Sequence, residues 1–196
     1  MLPVIATKHM VLTLLTPQYA QQLAHYRCEN QAHLAPWEPL REQDYFTLAG
    51  AEQSAQTALD LYFAGTAVQL IALTPAQEEI VGICSLTNII RGPFQACYLG
   101  YSISENCQGQ GLADEMLSRA LDYAFNELTL NRVMANFMPS NARSEKLLMK
   151  FGFEREGVAK RYLKIAGQWQ DHVLSAKVRG LCPQSAIDVD ALDEGS

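Results

Sequence analysis

The spacing of hydrophobic positions changes several times along the chain, and each change marks an element. Residues 10–16, MVLTLLT, form a short β-like run that Pro17 ends, after which Tyr19, Leu23 and Tyr26 recur at helical spacing as far as Arg27. Pro36 and Pro39 bracket Trp37 and Glu38 in a turn. From Gln43 to Ala64 the positions of Tyr45, Leu48, Ala55, Leu59 and Tyr62 predict one long helix, closed by Gly65. Strand-like runs follow at 67–74, 80–90 and 96–104, separated by PAQEE and RGPF, and predict an antiparallel meander.

The pattern then turns helical. Ala113, Met116, Leu117, Ala120, Leu121, Ala124, Phe125 and Leu128 make one apolar stripe that begins directly after Gln-Gly-Gln-Gly. Residues 132–138 read as a strand ended by Pro139, and 141–151 as a helix stopped by Gly152. Two last strands, 158–165 and 169–178, meet at Ala166-Gly167. No repeat, low-complexity block or linker divides this order. Residues 1–180 are expected to form a single domain, with 181–196 a flexible acidic tail.

Composition narrows the class. A chain of 196 residues, 48% hydrophobic and 18% charged, can bury a sizeable core, which excludes disordered, collagen-like and coiled-coil architectures. The net charge is −6, but Asp188, Asp190, Asp193 and Glu194 fall in the last nine residues, and the remaining 17 acids and 15 bases leave −2 on the body. A nearly neutral body argues against nucleic-acid readout, although mild acidity can attract a basic polypeptide. Cys28, Cys84, Cys97, Cys107 and Cys182 are odd in number and contain no CxxC pair, so reduced thiols are expected, and no metal. No apolar run reaches the ~18 residues of a membrane span, and Lys8 and His9 break the N-terminal one. A cytoplasmic protein without membrane association is the expectation.

The candidate chemistry starts at the glycine-rich loop. Helix N-terminal N–H groups lack intrahelical acceptors, and glycines let an anion approach them closely, so Gln108-Gly109-Gln110-Gly111-Leu112-Ala113 suits a phosphate or pyrophosphate. No Gly-Lys-Ser/Thr follows, and Asp114 stands where a dinucleotide fingerprint needs its third glycine. A glycine turn that merely starts a helix is the simplest alternative.

The arrangement Gln108-x-x-Gly111-x-Ala113 resembles the pyrophosphate loop of the GCN5-related N-acetyltransferases. Asn141-Ala142-Arg143-Ser144, Leu147, Lys150, Gly152-Phe153 and Gly157 resemble that superfamily's next motif. The stretches HLAPWEP from His33, CYLGYSI from Cys97, ANFMP from Ala135 and GQWQDH from Gly167 are similar to ribosomal-protein-alanine N-acetyltransferases of the RimJ/RimL type, most of all the RimJ branch. The resemblance implies an α+β GNAT acyl-CoA N-acyltransferase fold, with a mostly antiparallel central sheet and helices on both faces in three layers. It also implies transfer of acetyl from acetyl-CoA to the alanine α-amine of a small-subunit ribosomal protein, with possible ribosome association. Acetylation of another small or peptidic amine, a non-catalytic acetyl-CoA-binding ribosomal module, and a nucleotide-phosphate protein are the alternatives.

The resemblance also implies site roles. Backbone N–H groups of Gln108, Gly109, Gln110, Gly111, Leu112 and Ala113 would hold the pyrophosphate, and the strand of Tyr101, Ser102 and Ile103 would pair with the pantetheine arm and supply an oxyanion donor. Asn141 would hold the cofactor while Ser144, three residues on and on the same helix face, protonates the leaving thiolate. By themselves those residues read first as a helix cap and an ordinary polar neighbour. Leu148 stands where many members carry a tyrosine acid, and Arg161 stands before Tyr162-Leu163 where a related enzyme carries a base. Glu38 is therefore the candidate base, with Asp171 and His172 behind it, and Trp37, Asn136 and Phe137 are expected to line the alanine pocket. Cys97 and Cys107 would allow a covalent acetyl-cysteine route, but no neighbouring sequence feature activates them.

Overall fold

The structure, a computed structural model, describes residues 2–180. Cys182 and the acidic segment 181–196 lie outside the described residues. The strands are β1 (Val4–Ala6), β2 (Val11–Leu14), β3 (Val68–Leu73), β4 (Ile80–Ile90), β5 (Ala96–Ile103), β6 (Arg132–Met134), β7 (Glu154–Ile165) and β8 (Gln168–Val178). They form one sheet in the order β1-β2-β3-β4-β5-β6-β8-β7, antiparallel except where β5 meets β6. A parallel neighbour needs a crossover, supplied here by helix α4 (Leu112–Asp122).

Strand alternation sends side chains to two cores, one on each side of the sheet. Leu12, Leu14, Leu70 and Ala72 pack with Met116, Leu117 and Leu121 of α4 and with Leu148 of helix α5 (Ala142–Lys150). Leu15, Ile71 and Leu73 pack instead with Leu23 and Tyr26 of α1 (Ala20–Glu29) and Ala51, Ala55 and Ala58 of α3 (Leu48–Phe63). The three-layer architecture follows from that alternation.

Four elements differ from their sequence expectations. The helix expected from Gln43 starts at Leu48, because Gln43–Phe46 is a 3-10 turn and the extended Thr47 caps α3 by accepting the Gly50 N–H at 3.1 Å. β7 begins at Glu154 rather than Val158, because it is a sheet-edge strand exposed on most residues, so its charged start breaks the expected alternation. β1 is a three-residue edge strand, too short to show a period. The strand expected over 132–138 ends as a β5 neighbour at Met134, and that departure opens the cleft.

Candidate active site

β5 pairs with β4 from Ala96 to Ile103, but it pairs with β6 only at Ala96↔Arg132, Cys97↔Val133 and Tyr98↔Met134. Beyond Met134 the chain stays with β8: Ala135 N–H donates to Ser175 O at 2.9 Å, and Phe137 and Val173 exchange bonds of 3.1 and 2.8 Å. The sheet therefore splits, leaving Leu99 to Ile103 with an edge that no strand covers. A cleft of about 1530 Å³ fills the split, lined by Leu99 to Ile103 on one side and Ala135 to Met138 on the other. Such an edge accepts an extended amide-bearing chain as an added strand.

At the end of β5 the chain turns through Glu105–Cys107 into the glycine loop. Gly109 and Gly111 have φ of +73° and +77°, and a Cβ on either would meet nothing within 4 Å. Glycine is needed there for the left-handed backbone rather than for space. Gly111 is the N-cap of α4 and no side chain caps the helix, so its first-turn N–H groups remain available to an anion. The two acids in that first turn have partners already. Asp114 pairs with Lys150, and Glu115 accepts from the His9 backbone at 3.0 Å and lies 2.8 Å from its Nδ1.

Gln108 does more than the sequence suggested. Its amide nitrogen lies 2.7 Å from His33 Nε2 and its carbonyl oxygen accepts from Arg143 at 2.6 Å, so the loop is tied to both α2 (Gln31–Leu34) and α5. Gln110 instead turns back to the Asn106 carbonyl at 3.1 Å. On α5, Arg143, Lys146 and Lys150 line the cleft, a basic wall suited to phosphates.

Ser144 faces the cleft and its hydroxyl lies 2.9 Å from the Tyr101 hydroxyl. Asn141 caps α5 by accepting the Ser144 N–H at 3.1 Å, so only its amide N–H groups remain for a ligand. Leu148 is buried in the core and offers no proton. Burial pushes the Tyr101 phenol up to about 12, against the opposing hydrogen bond from Ser144, and so keeps it protonated. Its strand neighbour Ser102 points to the opposite face, where its hydroxyl lies 2.9 Å from that of Tyr26 on α1. Ile103, next along β5, is buried.

Trp37 and Glu38 line the other half of the cleft, on a loop tied to the β7–β8 hairpin by an Ala166 N–H bond of 2.9 Å to Glu38 O. The Glu38 carboxylate accepts from Arg41 at 3.3 Å. Phe137 is buried and lines the cleft, as does Asn136, but both ends of the Asn136 amide are engaged, with Tyr162 at 3.2 Å and the Ser175 N–H at 3.3 Å. Asp171 accepts the Arg161 N–H at 2.7 Å, a structural bond within the hairpin. His172 is buried and lines the cleft, with Nδ1 placed 3.1 Å from Gln170 O, an acceptor. Burial pushes the Cys84 and Cys97 thiols up to about 12, which disfavours the thiolate a covalent route needs, while Cys107 is half-buried at the cleft.

Among the described residues, the Trp37–Glu38 side of the cleft is not acidic, because the guanidiniums of Arg27 and Arg41 flank the carboxylate of Glu38 there. Residues missed by sequence reasoning are thus Arg27, Tyr26, His33 and Arg143, together with the side-chain role of Tyr101. Only the alternation along β5, which separates Tyr101 from Ser102, was available as a signal. Among the described residues no group of three or more potential ligands could hold a metal, and no helix is long and apolar enough to cross a membrane.

A split sheet beside an uncapped, glycine-opened helix N-terminus defines an acyl-CoA acyltransferase scaffold. Residues 9–154 match the acetyltransferase (GNAT) domain family, and the chain belongs to that family. It is 41% identical over 172 residues, 88% of this chain and 89% of the relative, to the [ribosomal protein uS5]-alanine N-acetyltransferase of Escherichia coli K12. The crystal structure of the ribosomal-protein-S5-alanine acetyltransferase from Vibrio fischeri superposes with a TM-score of 0.87 at 34% identity, covering 91% of this chain and 97% of that one. Mycobacterium smegmatis RimJ in complex with CoA-disulfide superposes at 0.83 with 28% identity, covering 93% and 88%. The fold is thus the GNAT fold expected, and the protein is an acetyltransferase.

Proposed function

We propose that this enzyme acetylates the α-amine of an N-terminal alanine on a small-subunit ribosomal protein, by direct attack on acetyl-CoA in a ternary complex. The 41% identity to the uS5-alanine enzyme across nearly all of both chains carries the acceptor assignment. The open β5 edge beside the α4 N-terminus supports the cofactor assignment. Action on a ribosomal protein implies a cytoplasmic location and contact with the ribosome or its unassembled proteins.

Acetyl-CoA supplies the acyl group as a thioester. In this reading, N–H groups of 108–113 bind its pyrophosphate and the amide of Asn141 reaches the arm. A backbone N–H near Ser102 or Ile103 stabilises the oxyanion, and the reading requires no metal. An N-terminal amine has a pKa near ~7.7–8.0, so much of it is neutral at physiological pH, and Glu38 needs only to receive one proton, directly or through water. Ser144 gives its proton to the departing thiolate, and the Tyr101 hydroxyl stands behind it to restore that proton. Trp37, Phe137 and Asn136 bound the space for the alanine methyl.

A second base is favoured by one observation: buried His172 lines the cleft and its Nε2 has no hydrogen-bond partner among the described residues. The function is tested by mass spectrometry of Ala-, Ser- and Thr-initiated peptides, plus an N-blocked lysine peptide, after incubation with acetyl-CoA. One acetyl at the α-amine, fastest on alanine and absent from the blocked peptide, is the expected result. No acetyl on any peptide while CoA binding is demonstrated would overturn it in favour of another amine or a non-catalytic binder.

A further inference from the structure

Among the described residues, one buried cation lines the cleft beside Glu38 without forming an ion pair. Arg27, in the last turn of α1, is 6% exposed and lines the cleft beside Leu34, Glu38, Arg41 and Tyr45. Among the described residues its guanidinium makes one hydrogen bond, from Nη1 to the Tyr45 carbonyl at 3.0 Å. Its Nε is buried and has no acceptor among the described residues. The guanidinium carbon lies 3.8 Å from the centre of the Tyr45 ring, and that of Arg41 lies 4.4 Å from the same ring. None of the ion pairs among the described residues includes Arg27, and the nearby Glu38 is engaged by Arg41.

Removing a guanidinium from water is expensive unless its donors are used, and truncating the partner of a buried charge is more expensive still. Here burial, with the like charge of Arg41, lowers the pKa of Arg27 against the opposing influence of Tyr45 and Glu38. The aromatic face of Tyr45 offsets part of that penalty but supplies no acceptor to Nε, and Nη2 is not among the buried unsatisfied atoms of the described residues. A planar guanidinium held by stacking, with donors unspent and set in a substrate cleft, is organised to meet a planar anion.

We propose that Arg27, flanked by Arg41, forms a carboxylate subsite that selects acceptors carrying an acidic side chain within a few residues of the reacting α-amine. The inference rests on the peptide-acceptor reading above and adds to it the chemistry of the segment behind the alanine. It reverses the expectation, drawn from net charge, that this enzyme favours a basic chain there.

The test is a set of alanine-initiated peptides identical except for a single Glu, Gln or Lys placed in turn at the second to fifth positions, assayed with the native protein at low and high salt. At one position Glu is expected to raise kcat/KM over Gln roughly tenfold, mainly through KM, with Lys poorer than either. The gain persists at high salt, because a buried pair is screened little. In Arg27→Gln that preference disappears, while Arg27→Lys keeps part of it, and thermal unfolding reports whether each variant is folded. Equal rates for Glu and Gln peptides at every position in the native enzyme overturn the subsite, as does a Glu preference that survives in folded Arg27→Gln. Acetylation of no peptide, with acetyl-CoA bound, overturns the peptide-acceptor reading itself and this inference with it.

Discussion

The Tyr101 and Ser144 hydroxyls, 43 residues apart in sequence, lie 2.9 Å from each other across the gap between β5 and α5. Leu148, where many family members carry a tyrosine acid, is packed in the core, so this pair is the hydroxyl arrangement that faces the cleft from α5. Ser144→Ala is expected to lower kcat roughly 10²-fold at neutral pH, with little change in acetyl-CoA affinity. Tyr101→Phe is expected to lower kcat by less, since solvent can also return a proton to Ser144. For both variants the deficit shrinks as pH rises past about 8.5, where a thiol leaves readily without a donor. Steady-state kinetics across about pH 6.5 to about pH 9.5 check the split. A uniform loss at every pH would assign the pair a structural role.

Exchange of Glu38 separates the two candidate bases. If Glu38 takes the amine proton, Glu38→Gln loses kcat/KM most strongly below about pH 7.5, where the α-amine is largely protonated, and recovers toward pH 9. A near-normal profile in that variant, with the loss found in His172→Gln instead, transfers the role to the histidine.

Gly111→Ala tests the backbone conformation rather than space. A non-glycine residue at φ +77° is strained by roughly 1–2 kcal/mol, although its Cβ would touch nothing within 4 Å. The variant is expected to unfold at lower temperature and to bind CoA more weakly. Calorimetry of CoA binding and of unfolding measures the two effects separately.

Leu117→Ala is expected to destabilise the protein by about 2–5 kcal/mol, because Leu117 is fully buried where α4 packs on the sheet. Denaturant titration measures it. The cleft lies at the N-terminal end of that helix, so CoA affinity in the folded fraction should change little.

Alkaline pH should weaken the fold. Burial raises Cys84 and Cys97 from 9.0 to about 12 and Tyr101 from 10.0 to about 12, and it raises Tyr26 as well. These groups stay neutral in the folded protein after they ionise in the unfolded chain. Their contribution is complete below about pH 9 and is lost progressively as pH rises from there toward about 12. Urea midpoints that fall steadily above pH 9, less so in Tyr101→Phe, would bear this out.

Much of the architecture was legible because it is written in local periods. The α4 stripe, the β3–β4–β5 meander and the glycine loop each rest on contiguous residues whose spacing has one stable solution. Where local pattern was weak, the reading drifted. The charged start of β7 has a strand neighbour on one side only, so no alternation revealed it, and the turn at Gln43–Phe46 carried apolar residues that mimic a helix.

Local periods in the sequence determined the α4 stripe, the β3–β4–β5 meander and the glycine loop ahead of α4, because helix and strand periods and glycine's backbone freedom act over a few residues, while the layers and the candidacy of Ser144 came from the family resemblance. Tertiary structure decided where the sheet splits after Met134, that Tyr101 backs Ser144, that both ends of the Asn136 amide are engaged, and that Arg27 stands buried against Tyr45 with no ion-pair partner among the described residues. Those relations join residues distant in the chain, and their energies depend on distance and burial, quantities that exist only once the chain has folded.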